Sequence, residues 1–316
     1  MPATDRRTRR AAGALAAVSL LTAGCGAGAP RAAHVAPSPA GTGTVRDADA
    51  AGALAALEQR YRAHLGVYVL DTGSGRSVAY RADRRFAHCS TVKVLAAAAL
   101  LARETDAGLD EVVRYPAADL VAYSPVTSRH AGSGPGGGMT LRAVMAAALR
   151  YSDNTAENLM LDRLGGPAGL RRAVRGMGDA VTGVDRPEPA LNTALPGDTR
   201  DTSTARALGT DLRALLVGGA LPAGRRALLT GLMVRNTTGG PYVRAGVPSG
   251  WKVADKTGSG GYGTRNDIAV AWPPHGAPVV VSVLSDRGRA DAASADGLVA
   301  DATKAALDAL GYQGLS

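Results

Sequence analysis

AHCSTVKVLAAAALL, residues 87 to 101, sets a serine, Ser90, three positions before a lysine, Lys93, at the mouth of a long alanine-rich run. Residues i and i+3 of a helix share one face. The run behind them is apolar on every side, which predicts a helix buried all round with one polar end. At a helix start, unpaired N–H groups and the positive end of the dipole favour negative charge developing on the serine oxygen. A serine hydroxyl is a weak nucleophile without a base. A lysine whose pKa is lowered by burial or by a neighbouring cation can be that base. Taken alone, the pair reads first as a capping serine and a snorkelling lysine.

On either side of this helix the pattern changes. From about Ala48 to His64 the spacing predicts a helix with Leu54, Leu57 and Tyr61 on one face. LGVYVLDT alternates, TGSG supplies a turn, and RSVAYR reads as the return strand of a hairpin. Residues 88 to 234 are mostly helical in pattern, and TLRAVMAAALRY (140 to 151) is the clearest case, with Thr140 as its N-cap. KVADKTGSG, TRNDIAVAW and APVVVSVLS then give three strands, and residues 291 to 311 a closing helix. Strands at both ends and helices between predict an α/β (α+β) fold. One antiparallel sheet forms from both termini with flanking helices, an all-helical domain is inserted, and the active site lies in the cleft between them. The sheet part takes residues 46–87 and 235–316, and the helical part residues 88–234.

The 316 residues are 46% hydrophobic, enough for a sizeable core. Ala, Gly and Arg dominate and only four lysines occur, a bias that points to a GC-rich genome. The net charge is +9, but four arginines and one aspartate within the first 24 residues account for three units of it. No basic run interleaved with aromatics occurs, so nucleic acid is not the expected partner. The two cysteines, Cys25 and Cys89, make no disulfide framework. Cys25 follows RRTRR, a short apolar stretch and Ala-Gly, the layout of an export signal over residues 1–25. That stretch is too short for a membrane span. The Ala-Gly-Cys ending resembles a bacterial lipoprotein signal, in which Cys25 would carry the lipid; simple secretion is the alternative. Residues 26–45, rich in Pro, Gly and Ala, read as a flexible tether.

Two further motifs accompany Ser90 and Lys93. YSDNTAENLM places Ser152-Asp153-Asn154 directly after the 140–151 helix, and DKTGSG places Lys256-Thr257-Gly258 on a strand. This triple set, in this order, resembles the class A serine β-lactamases of the penicillin-recognising superfamily, of actinobacterial type, over about residues 46 to 316. RPEPALNTALPGDTRDT, residues 186–202, resembles the family's Ω-loop, with Glu188 and Asn192 in the spacing E-x-x-L-N. A carboxylate and an amide there can hold one water, with Glu188 as the base that activates it. Transpeptidases of the penicillin-binding type share the serine and lysines but lack this device.

The resemblance implies further roles. Ser90, Lys93, Ser152, Glu188 and Lys256 would be catalytic. Tyr123 would pack on substrate at the cleft rim, a core tyrosine being the alternative. Asn154, Asn192, Thr257, Gly258, Ser259 and Arg265 would bind substrate, Arg265 through its carboxylate, which leaves Arg244 a structural or surface residue. The backbone N–H groups of Ser90 and Ser259 would form the oxyanion hole. Arg186 and Asp201 would close the Ω-loop, and Glu188-Pro189 would be a cis peptide. Lys93, or Glu188 through water, would take the proton from Ser90. Ser152 would relay one to the ring nitrogen. No metal or cofactor is expected, since no His/Cys/Asp cluster has ligand spacing; His88 and His130 are read as structural. Residues 132–138, GSGPGGG, enlarge a connection that is usually shorter. Gly260 stands where some carbapenem-hydrolysing members place a partner for Cys89, so no disulfide is expected there. The implied function is hydrolysis of penicillins and cephalosporins by an exported monomer that confers β-lactam resistance. A penicillin-sensitive D,D-peptidase and a lipid-anchored β-lactam sensor are the alternatives.

Overall fold

The computed structural model describes residues 43–312 apart from 133 and 135. The proposed signal, Cys25 and most of the tether lie outside the described residues. Helix α1 spans Gly43–Tyr61. It begins inside the stretch assigned to the tether, because nothing after Pro39 forbids helix. It also ends earlier than its periodicity suggests, since His64 already belongs to strand β1, His64–Asp71. Strand β2, Ser77–Tyr80, returns antiparallel against β1. Three C-terminal strands, β3 (Lys252–Ser259), β4 (Arg265–Trp272) and β5 (Val279–Asp286), complete a sheet of order β2-β1-β5-β4-β3. All neighbours are antiparallel, and the two termini meet where β1 pairs with β5 over His64↔Asp286 to Asp71↔Val279. The closing helix runs Asp296–Leu310, starting later than its sequence pattern suggested.

The alternation of each strand sorts its residues between two cores. Ala269, Ala271, Val279, Val281 and Val283 join α1 and the closing helix on one face. Ile268, Val270, Val280, Leu284 and Ala254 join the helical half on the other. Because both faces are covered, β4 and β5 are buried almost throughout, so each carries an apolar run, IAVAW and VVV, without polar alternation.

Helix α2, Lys93–Arg103, runs through the helical half with every residue from Lys93 to Leu101 buried. Around it lie α3 (Leu141–Tyr151), α4 (Asn154–Leu164), α5 (Gly166–Gly176), α6 (Ala205–Leu212) and α7 (Ala223–Val234). Thr140 caps α3 as expected, its hydroxyl accepting from the Ala143 N–H at 3.2 Å. Short ladders punctuate the helices: Arg85–Ala87 pairs with Thr202–Thr204, and Val112–Val113 with Met139–Thr140. The first of these clamps the far end of the Ω-loop beside the start of α2.

Candidate active site

The chain reaches Ser90 through a strained step. Cys89 has φ +49°, a left-handed conformation that costs a non-glycine residue about 1 kcal/mol or more. Buried contacts hold it there. The His88 ring lies 3.0 Å from the Cys89 carbonyl and 2.8 Å from that of Gly183. Asn266 donates to the Ala87 carbonyl at 2.8 Å and Thr91 to that of His88 at 2.7 Å. Ser90 then sits in a 3₁₀ turn, Cys89–Val92, and the α-helix starts only at Lys93. This refines the expectation that both lie on one α-helix. Three residues per turn eclipse positions i and i+3, and Lys93 Nζ is 3.0 Å from Ser90 Oγ. Ser90 caps neither the turn nor the helix; its hydroxyl donates to Glu188 Oε1 at 3.2 Å. The capping alternative is therefore excluded.

Lys93 is fully buried and surrounded by acceptors. Its Nζ lies 2.9 Å from Glu188 Oε1, 2.7 Å from Asn154 Oδ1 and 2.8 Å from the Ser152 carbonyl. The SDN segment supplies the last two through two turns of backbone. Ser152 terminates α3 with φ +59°. Asp153 caps α4, accepting from the Ala156 N–H, and also accepts from the Val126 and Thr127 N–H groups. Asn154 donates to the Ala122 carbonyl at 2.9 Å. These bonds fix the segment carrying Tyr123, whose side chain is 62% exposed at the cleft rim, so the core-tyrosine alternative is excluded.

The Ω-loop brings Glu188 in from the opposite side. Asn158, one turn beyond Asn154 on α4, clamps the Glu188 backbone by accepting from its N–H at 2.8 Å and donating to its carbonyl at 2.9 Å. The Glu188-Pro189 peptide is cis, as the resemblance implied. Asn192 donates directly to Glu188 Oε2, where the sequence reading had a water between them; its own Oδ1 is buried with no hydrogen-bond partner among the described residues. Arg186 Nε meets the fully buried Asp201 at 2.6 Å, and the other Asp201 oxygen accepts from the Asp185 and Arg186 N–H groups.

Lys256 comes from the third side, on β3. Its Nζ donates to Ser152 Oγ at 2.9 Å and to the Thr257 carbonyl at 2.8 Å. Burial, aided by the charge of Lys93, pushes its pKa down to about 7. Gly258 is required by close approach: a Cβ there would stand 2.8 Å from the His88 carbonyl and 3.0 Å from Thr91. A Cβ on Gly260 would meet the Cys89 sulfur at 2.7 Å. Cys89 is a buried free thiol whose pKa burial raises, so it is inert as a nucleophile. Arg265, opposite Ser259 on β4, bonds Ser259, Ser294 and Asp296 and lies over the Tyr242 ring. Arg244 pairs with the buried Asp255 at 2.6 Å and serves the structure.

Eight of the predicted residues, Ser90, Tyr123, Ser152, Asn154, Asn192, Thr257, Ser259 and Arg265, line one cleft of about 380 Å³, with Thr238 and Tyr242 completing its wall. Glu188, Lys93 and Lys256 lie buried in its floor. A larger hollow of about 590 Å³ between α1 and the closing helix is lined by alanines, Asp49, Asp308 and Gly311 and holds no nucleophile. Sequence reasoning missed Asn158, Thr238 and Tyr242. Asn158 was open to discovery, being four residues from Asn154 on one helix face. Thr238, whose hydroxyl meets that of Thr257 at 2.6 Å, carries no spacing signal.

The family model described as "Beta-lactamase enzyme family" matches residues 49–310. A β-lactamase of Amycolatopsis lactamdurans is 56% identical over 255 residues, covering 81% of this chain and 83% of that one. The β-lactamase AST-1 of Nocardia asteroides is 47% identical over 310 residues, 97% and 96% of the two chains. Among solved structures, the class A β-lactamase of Clostridium kluyveri superposes with a TM-score of 0.80 at 43% identity, covering 82% of this chain and 98% of that one. The chain belongs to the class A β-lactamases. This class A enzyme is a hydrolase, and β-lactams are its substrates. Its cleft therefore has to admit a strained cyclic amide.

Proposed function

We propose that the enzyme opens penicillins, and cephalosporins with them, through an ester on Ser90. The observation that carries this reading is the position of Glu188 Oε1, 3.2 Å from the Ser90 hydroxyl and 2.9 Å from Lys93 Nζ. The serine is thereby joined to a buried acid–base pair. Ser90 Oγ attacks the lactam carbonyl carbon and its proton passes to the Lys93–Glu188 pair, either member being within reach. The C–N bond breaks, and the ring nitrogen takes a proton from Ser152, which Lys256 hydrogen-bonds at 2.9 Å; the proton that left Ser90 replaces it, so the Lys93–Glu188 pair is free again. A water then attacks the ester carbonyl. Its proton goes to Glu188 and the Oγ–C bond breaks, so that Ser90 regains its proton as the opened acid leaves. Asn192 holds Glu188 by one end of its amide, and its buried Oδ1 is an acceptor for that water. Arg265 and Thr257 receive the substrate carboxylate, Tyr123 packs on its side chain, and the Ser90 and Ser259 N–H groups stabilise the oxyanion, about 3 kcal/mol for each such donor.

The reading extends to the setting: a monomer, exported by residues 1–25 and either anchored through a lipid on Cys25 or secreted. Loss of membrane attachment in Cys25→Ala would support the anchor, and unchanged partitioning would oppose it.

The test is a time course with benzylpenicillin and purified residues 46–316, followed by intact-mass measurement. Many turnovers with little residual adduct are expected. One equivalent consumed, with a stable adduct on Ser90, would instead identify a sensor or peptidase and remove the role given to Glu188.

A further inference from the structure

The reaction above leaves one buried acid unused. Glu157 lies on α4 between Asn154, which holds Lys93, and Asn158, which holds Glu188. At helical spacing the three share one face. The Glu157 side chain is fully buried, and neither carboxylate oxygen has a hydrogen-bond partner among the described residues. Native structures rarely leave two oxygens of one carboxyl so placed, and such a group calls for an explanation. An ionised carboxylate without donors is the costliest group to bury, so it takes a proton instead. The charged groups acting on it are Lys93 from α2, Glu188 from the Ω-loop and Lys256 from β3, all three members of the reaction centre.

We propose that Glu157 is a positioning residue of the β-lactam reaction: as a neutral acid beside the Lys93–Glu188 pair, it keeps a second negative charge out of the site while negative charge builds on Ser90. The inference rests on the reading that Ser90 is the nucleophile. Burial drives the Glu157 carboxyl up to about 8, with Glu188 raising it further and the two lysines opposing. Below that pH the centre holds one carboxylate, Glu188, against Lys93. Above it a second carboxylate opposes the negative charge that builds on the oxyanion. Glu157 thus sets the alkaline limit of acylation without touching substrate.

The experiment is the pH profile of kcat/KM for benzylpenicillin, from about pH 6 to about pH 10, in the parent, Glu157→Gln and Glu157→Met. Gln is neutral at every pH; Met keeps the volume without polar atoms and covers the case in which a buried amide prevents folding. Titration near 8 lowers the parent's kcat/KM at pH 9 by about tenfold from its plateau. In the variants the ratio of kcat/KM at pH 9 to that at pH 7 is expected to rise at least about threefold over the parent's. An unchanged alkaline limb in the variants, or a uniform loss at all pH values, would reduce Glu157 to a packing residue and overturn the inference. Absence of turnover in the parent would instead overturn the proposed function, and this inference with it.

Discussion

Glu188 is asked to do two things, and one substitution separates them. Glu188→Ala removes the base proposed for water and keeps Lys93, which stands 3.0 Å from Ser90 in the parent. Loss of a positioned general base costs about 10²–10⁴-fold, so this variant is expected to accumulate an acyl-enzyme that the parent does not, visible by intact mass. Lys256 gives a prediction of opposite character. Its folded pKa, about 7, is depressed from 10.5, so the unfolded chain holds the extra proton between those values and stability rises with pH across that window. Lys256→Met abolishes this dependence. The variant is expected to gain stability below pH 7, by about 1–4 kcal/mol as buried charges replaced by apolar groups often do, and to lose that advantage towards pH 10. It also loses the bond to Ser152, so acylation is expected to fall about 10²-fold or more. Thermal melts at several pH values, alongside single-turnover kinetics, check both halves.

At the scale of elements, the Ω-loop depends on one buried carboxylate. Asp201 accepts from Arg186 and from two backbone N–H groups. Asp201→Ala leaves those donors unpaired and is expected to cost about 3 kcal/mol. Deacylation should slow more than acylation, because Glu188 rides on the loop while Ser90 does not; pre-steady-state kinetics distinguish the two. Gly258→Ala tests the seat of β3 against the Ser90 turn, since its Cβ would press on the His88 carbonyl. A loss of about 1–3 kcal/mol from overpacking is expected, with acylation impaired.

These two elements also mark how far the sequence carries. Ser90 and Lys93, Ser152 and Asn154, and Lys256 to Gly258 were legible because each pair lies within one turn or one strand, where spacing fixes geometry. The sheet was legible because its first hairpin alternates and its last strands are apolar runs set between turns. The 3₁₀ turn under Ser90 was not, because it depends on Gly183 and Asn266 arriving from distant segments to hold His88 and Ala87. Thr238 was invisible for the same reason. Nothing in the spacing around Glu157 signals its burial, which comes from the packing of α4.

For the molecule as a whole, stability depends on a second buried acid pair. Asp211 on α6 faces Asp179, which follows α5 and accepts from the Val181 and Thr182 N–H groups. Burial and the neighbouring carboxylate push Asp211 up to about 8. The folded protein therefore keeps a proton that the unfolded chain has lost, and stability falls as pH rises from about 4 to about 8. Asp211→Asn is expected to flatten that fall, leaving the melting temperature below pH 4 little changed and raising it at pH 8 and above. An unchanged slope would mean that Asp211 ionises normally.

The antiparallel seam between β1 and β5 has a consequence in time. His64 pairs with Asp286, 222 positions later in the chain. At translation rates of about 5–20 residues per second, the first hairpin waits roughly 10–45 s for its neighbour. Throughout that wait it presents an open, apolar strand edge that any other extended chain could occupy. Ser90 emerges early, whereas Lys256 and β5 emerge near the end, so the nascent polypeptide carries its proposed nucleophile long before the rest of the cleft exists. Catalytic competence and protection of the vulnerable edge arrive with the same last strands.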